Sequence, residues 1–244
     1  MSMPQKGRGY SVKVDYDVPI LMRDGTKTYA TVFRPDAKGR FPALLHRTPY
    51  DRQTSDNYVA PINAAIGAMN GYVVVLQDVR GRYSSEGEFN PFFTEESDGY
   101  DSVEWAASQP WCTGKVGMTG ISYGGATQWL AARGKPPSLA AIAPGYTAID
   151  YHEGWAWQGG AFELGFNLSW AMGALTAYHW DNIAKKLKLT EKQQDVFLAA
   201  KDDLNSTLAF TPLKDVPYLK GGLASYYYDW LDHPEYDAYW KSIS

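Results

Sequence analysis

Residues 120–124 read Gly120-Ile121-Ser122-Tyr123-Gly124, a serine held between two glycines in the pattern G-x-S-x-G. A β-branched and apolar run, residues 116–121, leads into it. A helix-forming run, Gly125-Ala126-Thr127-Gln128-Trp129-Leu130-Ala131-Ala132, follows. This strand–turn–helix context makes a common pattern a candidate nucleophile. The serine would sit on a strained turn, where side chains in place of the glycines would collide. The chemistry on offer is attack of the Ser122 hydroxyl on a carbonyl carbon. A serine hydroxyl is a poor nucleophile at neutral pH, so it needs a base, usually histidine, and a carboxylate to orient that base.

The chain has four histidines. His46 precedes Ser122 and falls within or at the end of a strand. His152, His179 and His233 follow it in a helical region. None has the strand-plus-loop setting of a catalytic base, and each reads as structural or surface. Asp150 ends the last apparent strand, a tolerable place for the acid, but it lacks a matching base downstream. An oxyanion hole needs two donors aimed at the developing charge. One is the backbone amide of Tyr123, the residue after the nucleophile. The other should come from the loop Arg47-Thr48-Pro49-Tyr50, which has no glycine run to offer an amide, and Pro49 has no N–H. The Tyr50 hydroxyl is then the natural side-chain donor, against the plainer reading of a packed aromatic at a strand end.

Several elements must position these groups. Residues 12–20 and 27–35 read as strands joined by the turn Arg23-Asp24-Gly25-Thr26. Residues 41–46 form an apolar strand, 59–69 a helix, and 72–77 (YVVVLQ) a strand buried on both faces. A helix over 97–108 puts Val103, Ala106 and Ala107 on one face. Residues 116–121 and 139–143 are two further strands. Strand and helix alternate from 41 to 145, which predicts a three-layer α/β fold with a mostly parallel sheet. From about residue 149 the character changes, and no convincing strand is legible. Residues 162–177 read as helix, and Thr190-Glu191-Lys192-Gln193 as a capping box opening a helix to about residue 204. Six of the nine tryptophans lie in this part. The expected domains are a core over 1–148 and an aromatic-rich helical cap over 149–244, with most of the aromatics read as core.

Length and composition bound the function. The 244 residues are 45% hydrophobic and 20% charged, a globular composition, and the net charge of −4 gives no reason to expect nucleic acid or an anionic membrane as partner. No apolar run approaches the ~20 residues of a membrane span, and the first twenty residues lack a signal-peptide core. The lone Cys112 excludes an internal disulfide and fits a reducing, cytoplasmic setting. Scattered histidines and one cysteine suggest no metal, no phosphate-binding loop is present, and the chemistry needs no cofactor.

Taken together, MRDGTKTYATVFRPDAKGRFPALLHRTPYD, QDVRGRYSSEGEF, EWAASQPWCTGKVGMTGISYGGATQW, AAIAP and GWAWQGGAF resemble the cocaine esterase / X-Pro dipeptidyl-peptidase-like (CocE/NonD) serine hydrolases. Glutaryl acylases and α-amino acid ester hydrolases belong to the same group. The resemblance runs from about residue 14 to 244. It implies an α/β-hydrolase with a helical cap and a C-terminal jelly roll. It implies Ser122 as nucleophile, the Tyr50 hydroxyl and Tyr123 amide as oxyanion hole, and Trp155 and Trp170 as substrate-binding residues of the acyl pocket. Asp78, Arg80 and Arg82 lie in a family motif and read first as an ion-pair network near the site. The family's catalytic aspartate and histidine follow the cap, so the acid, the base, the later strands and the jelly roll are expected beyond residue 244. Glu153 is no assured equivalent of the carboxylates that bind a free amine in the amino-ester subgroup.

Two functions from different classes follow. One is a serine hydrolase cleaving an ester, an amide or an X-Pro dipeptidyl bond of a small molecule or short peptide. The other is a catalytically incomplete fragment acting only after assembly with a complementary C-terminal polypeptide, or in a homo-oligomer. A binding protein on an inactive hydrolase scaffold is a third option, against which the intact G-x-S-x-G argues.

Overall fold

The computed structural model describes residues 9–53, 63–174 and 180–244. The chain forms two compact units, Met1–Ile149 and Asp150–Ser244.

The first unit is built on a six-stranded sheet. Its strands are β1 (Val12–Leu21), β2 (Lys27–Pro35), β3 (Phe41–Thr48), β4 (Val73–Asp78), β5 (Cys112–Ile121) and β6 (Leu139–Gly145), and their order is β1-β2-β4-β3-β5-β6. β1 and β2 form an antiparallel hairpin closed by Met22 N–H donating to Thr26 O at 2.9 Å, and β2 pairs antiparallel with β4. From β4 across β3 and β5 to β6 the sheet is parallel. Helices α1 (Ala64–Met69), α2 (Glu95–Ser108) and α3 (Tyr123–Arg133) connect the parallel strands.

Alternation along the strands explains the layers. Val73 and Val75 of β4 face the larger core, with Ala43, Leu45, Val116 and Met118 of the neighbouring strands and Val103, Ala106, Ala107 and Ala131 of α2 and α3. Val74 and Leu76 point the other way, onto Ala64 of α1. All six residues of β4 are buried, and each of its aliphatic side chains gains roughly 1.5–3 kcal/mol from leaving water. β3 runs on to Thr48, so Arg47 and Thr48, expected in the loop, are strand residues. The proposed helix over 59–69 starts at Ala64, and its residues 59–62 lie outside the described residues.

The second unit is mainly helical. It holds α4 (Leu164–Ser169), α5 (Trp180–Lys186), α6 (Glu191–Asp202), α7 (Leu204–Leu208), α8 (Ser225–Asp232) and α9 (Ala238–Ile243). The helix expected over 162–177 is α4 followed by a π-helical turn at Trp170–Ala174, with 175–177 outside the described residues. One expectation is corrected. Strands do occur after residue 149: β7 (Trp157–Gln158) and β8 (Ala161–Phe162) form a tight hairpin. Two-residue strands are too short to show a period. Their signal lay in Gly159-Gly160, both at positive φ (56° and 80°), which suits a two-residue hairpin turn. Among the described residues, no helix is long and apolar enough to cross a membrane.

Candidate active site

β5 ends at Ile121, Ser122 follows with φ 57° and ψ −123°, and α3 begins at Tyr123. Neighbours fix this bend. Ser122 N–H donates to Gly145 O of β6 at 2.9 Å, and Ser122 O accepts from Gly125 and Ala126 N–H at 2.8 and 3.1 Å. The Gln128 amide donates to Gly120 O and Gly124 O, while its oxygen accepts from Ala143 N–H at 2.8 Å. The two motif glycines are sterically required. A Cβ at Gly120 would lie 2.7 Å from Gly124 O and 2.9 Å from His46 Nδ1, and one at Gly124 would lie 2.9 Å from His46 Cε1. His46, buried on β3, packs beneath the elbow, with Nδ1 2.9 Å from Thr119 O.

The Tyr123 amide precedes the first intrahelical hydrogen bond of α3, where amides point out of the helix end. The Tyr123 ring is fully buried. Its hydroxyl donates to Glu95 Oε1 at 2.9 Å and accepts from Phe92 N–H at 3.0 Å. Burial, reinforced by the Glu95 charge, holds this phenol well above its usual pKa, so it stays a donor. Burial also pushes the Glu95 carboxyl up, against the pull of Arg47.

Tyr50 lies two residues beyond the end of β3. β3 and β5 are adjacent and parallel with Leu45 opposite Met118, so Tyr50 and Ser122 leave the same end of neighbouring strands. In open α/β sheets that carboxyl end is where ligands bind. The segment carrying Tyr50 is clamped on both sides. Tyr50 N–H donates to Thr48 Oγ1 at 3.1 Å, Arg82 Nε to Pro49 O at 3.0 Å, and Arg52 N–H to Asp78 Oδ1 at 2.7 Å. The Arg52 guanidinium also pairs with Asp78 and Asp17. Burial pushes the Asp78 carboxyl up to about 6, and Arg52 draws it back. Arg80 pairs with Asp98 and Asp24, each at 2.7 Å. The family-motif residues Asp78 and Arg80 are thus members of ion pairs. Arg82 acts through the Pro49 carbonyl and lies over the Tyr83 and Phe89 rings at 5.5 and 5.4 Å.

Trp155 and Trp170 belong to the second unit. Both are buried and meet edge to face at 5.6 Å. Half-exposed Phe166 packs edge-on to Trp155 at 5.5 Å and parallel to Trp170 at 6.4 Å, and Trp170 stacks on Trp230 at 6.0 Å. These rings pack into one continuous aromatic cluster. Asp150 does not end a strand, because β6 closes at Gly145; its carboxylate accepts from the His152 and Glu153 amides in a turn. His152 Nε2 donates to Pro234 O at 2.8 Å, and His233 Nδ1 meets Asp237 Oδ2 at 2.6 Å. His179 lies outside the described residues. Glu153 Oε1 accepts from Gly159 N–H. Among the described residues, no group of three or more His, Cys, Asp or Glu side chains is arranged to hold a metal.

Sequence reasoning missed Arg47, Glu95 and Gln128 as supports of the site. Arg47 read as a loop residue because it closes an apolar run. Glu95 falls before the helix expected over 97–108, which begins two residues earlier, at Glu95 itself.

The sequence profile of the X-Pro dipeptidyl-peptidase family (S15) matches residues 24–244. The chain is 38% identical over 245 aligned positions to the cocaine esterase of Rhodococcus sp. strain MB1 Bresler, an alignment covering 96% of this chain and 41% of that enzyme. A crystal structure of a CocE/NonD family hydrolase from Staphylococcus aureus superposes with a TM-score of 0.71 at 25% identity, covering 96% of this chain and 38% of the other. An α-amino acid ester hydrolase shares the fold, with a TM-score of 0.64 at 23% identity over 42% of its length. The chain thus spans about two fifths of the length of these relatives.

Proposed function

The chain belongs to the S15 X-Pro dipeptidyl-peptidase family of CocE/NonD-type serine hydrolases, and from that premise we propose that it carries the nucleophile and oxyanion hole of an acyl hydrolase. The observation that carries this reading is the strained backbone at Ser122, locked between β5 and α3. In the proposed reaction, the Ser122 oxygen adds to the carbonyl carbon of an ester or amide as a base takes its proton. The carbonyl oxygen becomes an oxyanion, which receives hydrogen bonds from the Tyr123 amide and the Tyr50 hydroxyl. Collapse expels the alcohol or amine, which takes up the proton, and leaves an acyl-serine. Water then attacks that ester, releasing the acid and restoring Ser122.

His46, His152 and His233 each hydrogen-bond a protein partner and His179 lies outside the described residues; following the family resemblance, we assign the general base and its carboxylate to later segments of the family's longer chains. The second unit is read as the helical cap, and the substrate-binding role proposed for Trp155 and Trp170 rests on the family resemblance. The buried, lone Cys112 suits a cytoplasmic setting. A panel of p-nitrophenyl esters and dipeptidyl-proline anilides, run against the chain supplied with the C-terminal part of a longer relative and against the same mixture carrying Ser122→Ala, tests the assignment. Ser122-dependent release of nitrophenol or aniline supports it; equal rates for the two mixtures overturn it.

One observation favours the second reading, a part that works only when assembled with a complementary polypeptide. β6 is an edge strand of the sheet, its residues are uncharged and mostly small, and Ala140, Ala141 and Ala143 are exposed. A parallel strand of this composition is ordinarily covered on both faces, so a partner segment would find a ready edge there.

A further inference from the structure

We propose that Glu95 is a positioning residue that ties the two halves of the oxyanion hole together. The proposal rests on the functional reading above and adds to it a residue that touches no substrate. Glu95 opens α2, yet its carboxylate is turned inward and buried. One oxygen, Oε2, accepts from Arg47 Nη1 at 2.5 Å, and the other, Oε1, accepts the Tyr123 hydroxyl at 2.9 Å. Arg47 lies on the last turnless stretch of β3, three residues before Tyr50. Tyr123 supplies the amide donor. One carboxylate therefore spans the strand that leads to the first donor and the residue that bears the second.

The surroundings make this span rigid. Arg47 Nε donates to Gln77 Oε1 at 3.1 Å, and Gln77 Nε2 donates to Thr28 Oγ1 at 2.7 Å, so the chain of bonds crosses β3, β4 and β2. On the other side, Phe92 N–H donates to the Tyr123 oxygen, and the Phe92 ring stacks on the Tyr123 ring at 5.2 Å. Arg47, Gln77, Thr28, Glu95 and Tyr123 are all buried. In such low-dielectric surroundings a satisfied network holds its members more tightly than the same bonds in water. An ion pair this deep is a poor source of net stability, because desolvation offsets the attraction. Its use here is geometric. An oxyanion donor works only within a few tenths of an ångström of its ideal place.

Tyr123→Phe cuts the link and leaves the backbone amide and the ring in place. With the C-terminal part of a longer relative supplied, the proposal expects kcat for Ser122-dependent ester hydrolysis to fall about tenfold or more, since small misplacements of reacting groups cost up to about a hundredfold, with KM changed less than twofold. It also expects coupling: in a Tyr50→Phe background, where one donor is already gone, adding Tyr123→Phe should lower kcat by less than it does alone. Should Tyr123→Phe fail to fold by circular dichroism, Glu95→Gln, which keeps an acceptor for the phenol but releases the Arg47 charge, takes its place in the same cycle. Unchanged kcat, or losses that multiply independently, would overturn the proposal while leaving the hydrolase reading standing. Hydrolysis that does not depend on Ser122 at all would overturn both.

Discussion

Ser122 occupies a backbone conformation that costs a side-chain-bearing residue about 1–3 kcal/mol, and it persists because the surroundings over-determine it. His46 is central to that restraint, since its ring leaves no room for a Cβ at Gly120 or Gly124. Gly124→Ala is therefore expected to destabilise the chain by about 1–3 kcal/mol through overpacking. Urea unfolding of the single variant and of Gly124→Ala/His46→Ala checks this. The second change should recover part of the loss caused by the first, and strict additivity would show that the ring is not the obstacle. At this scale the sequence was informative where a motif forces a backbone shape. The strained turn at Ser122 and the helix start at Tyr123 follow from G-x-S-x-G, whereas the role of Tyr50 is a proposal that rests on the absence of any glycine amide in its loop. Glu95 was illegible for a physical reason: nothing in its neighbours distinguishes a carboxylate that caps a helix in solvent from one turned into the core.

Among the elements, those with a strong period were readable and those with none were not. The strand 72–77 announced itself by an unbroken apolar run, and Val103, Ala106 and Ala107 were read onto the face that packs in the core. The β7–β8 hairpin was missed because its strands are two residues each, and the π-helical turn at Trp170–Ala174 has no sequence period of its own. The start of α6 was readable because a capping box names its own residues. Thr190 Oγ1 accepts from Gln193 N–H at 3.3 Å, and Gln193 Oε1 accepts from Thr190 N–H at 2.9 Å. Thr190→Ala should lower stability by about 1 kcal/mol. Denaturant unfolding monitored by tryptophan fluorescence, with Trp180 stacked on Phe197 of α6 at 4.4 Å as reporter, would show an earlier transition. No change in midpoint would mean that the cap contributes nothing to the unit.

For the whole molecule, the relevant facts are its share of its relatives, about two fifths of their length, and the state of β6. The edge of a sheet offers unpaired backbone groups, and natural proteins blunt such edges with charge or cover them. β6 carries no charged residue, its residues 140, 141 and 143 are exposed, and Tyr146 just beyond it is 97% exposed. The isolated chain should therefore associate in a concentration-dependent way, seen by sedimentation velocity. Ala141→Lys, placing a charge on that edge strand, should shift it toward monomer. A wild-type chain that stays monomeric at high concentration would remove the support for assembly through β6.

The central claim is that the hydroxyl of Ser122 is the attacking group, and the most direct test is a fluorophosphonate that phosphonylates activated serines. After incubation with the chain, alone and supplied with the C-terminal part of a longer relative, peptide mass spectrometry should place the adduct on Ser122 in at least one mixture. Tyr50→Phe should slow its appearance. An unmodified Ser122 in both mixtures, or an adduct on another serine that persists in Ser122→Ala, would contradict the account.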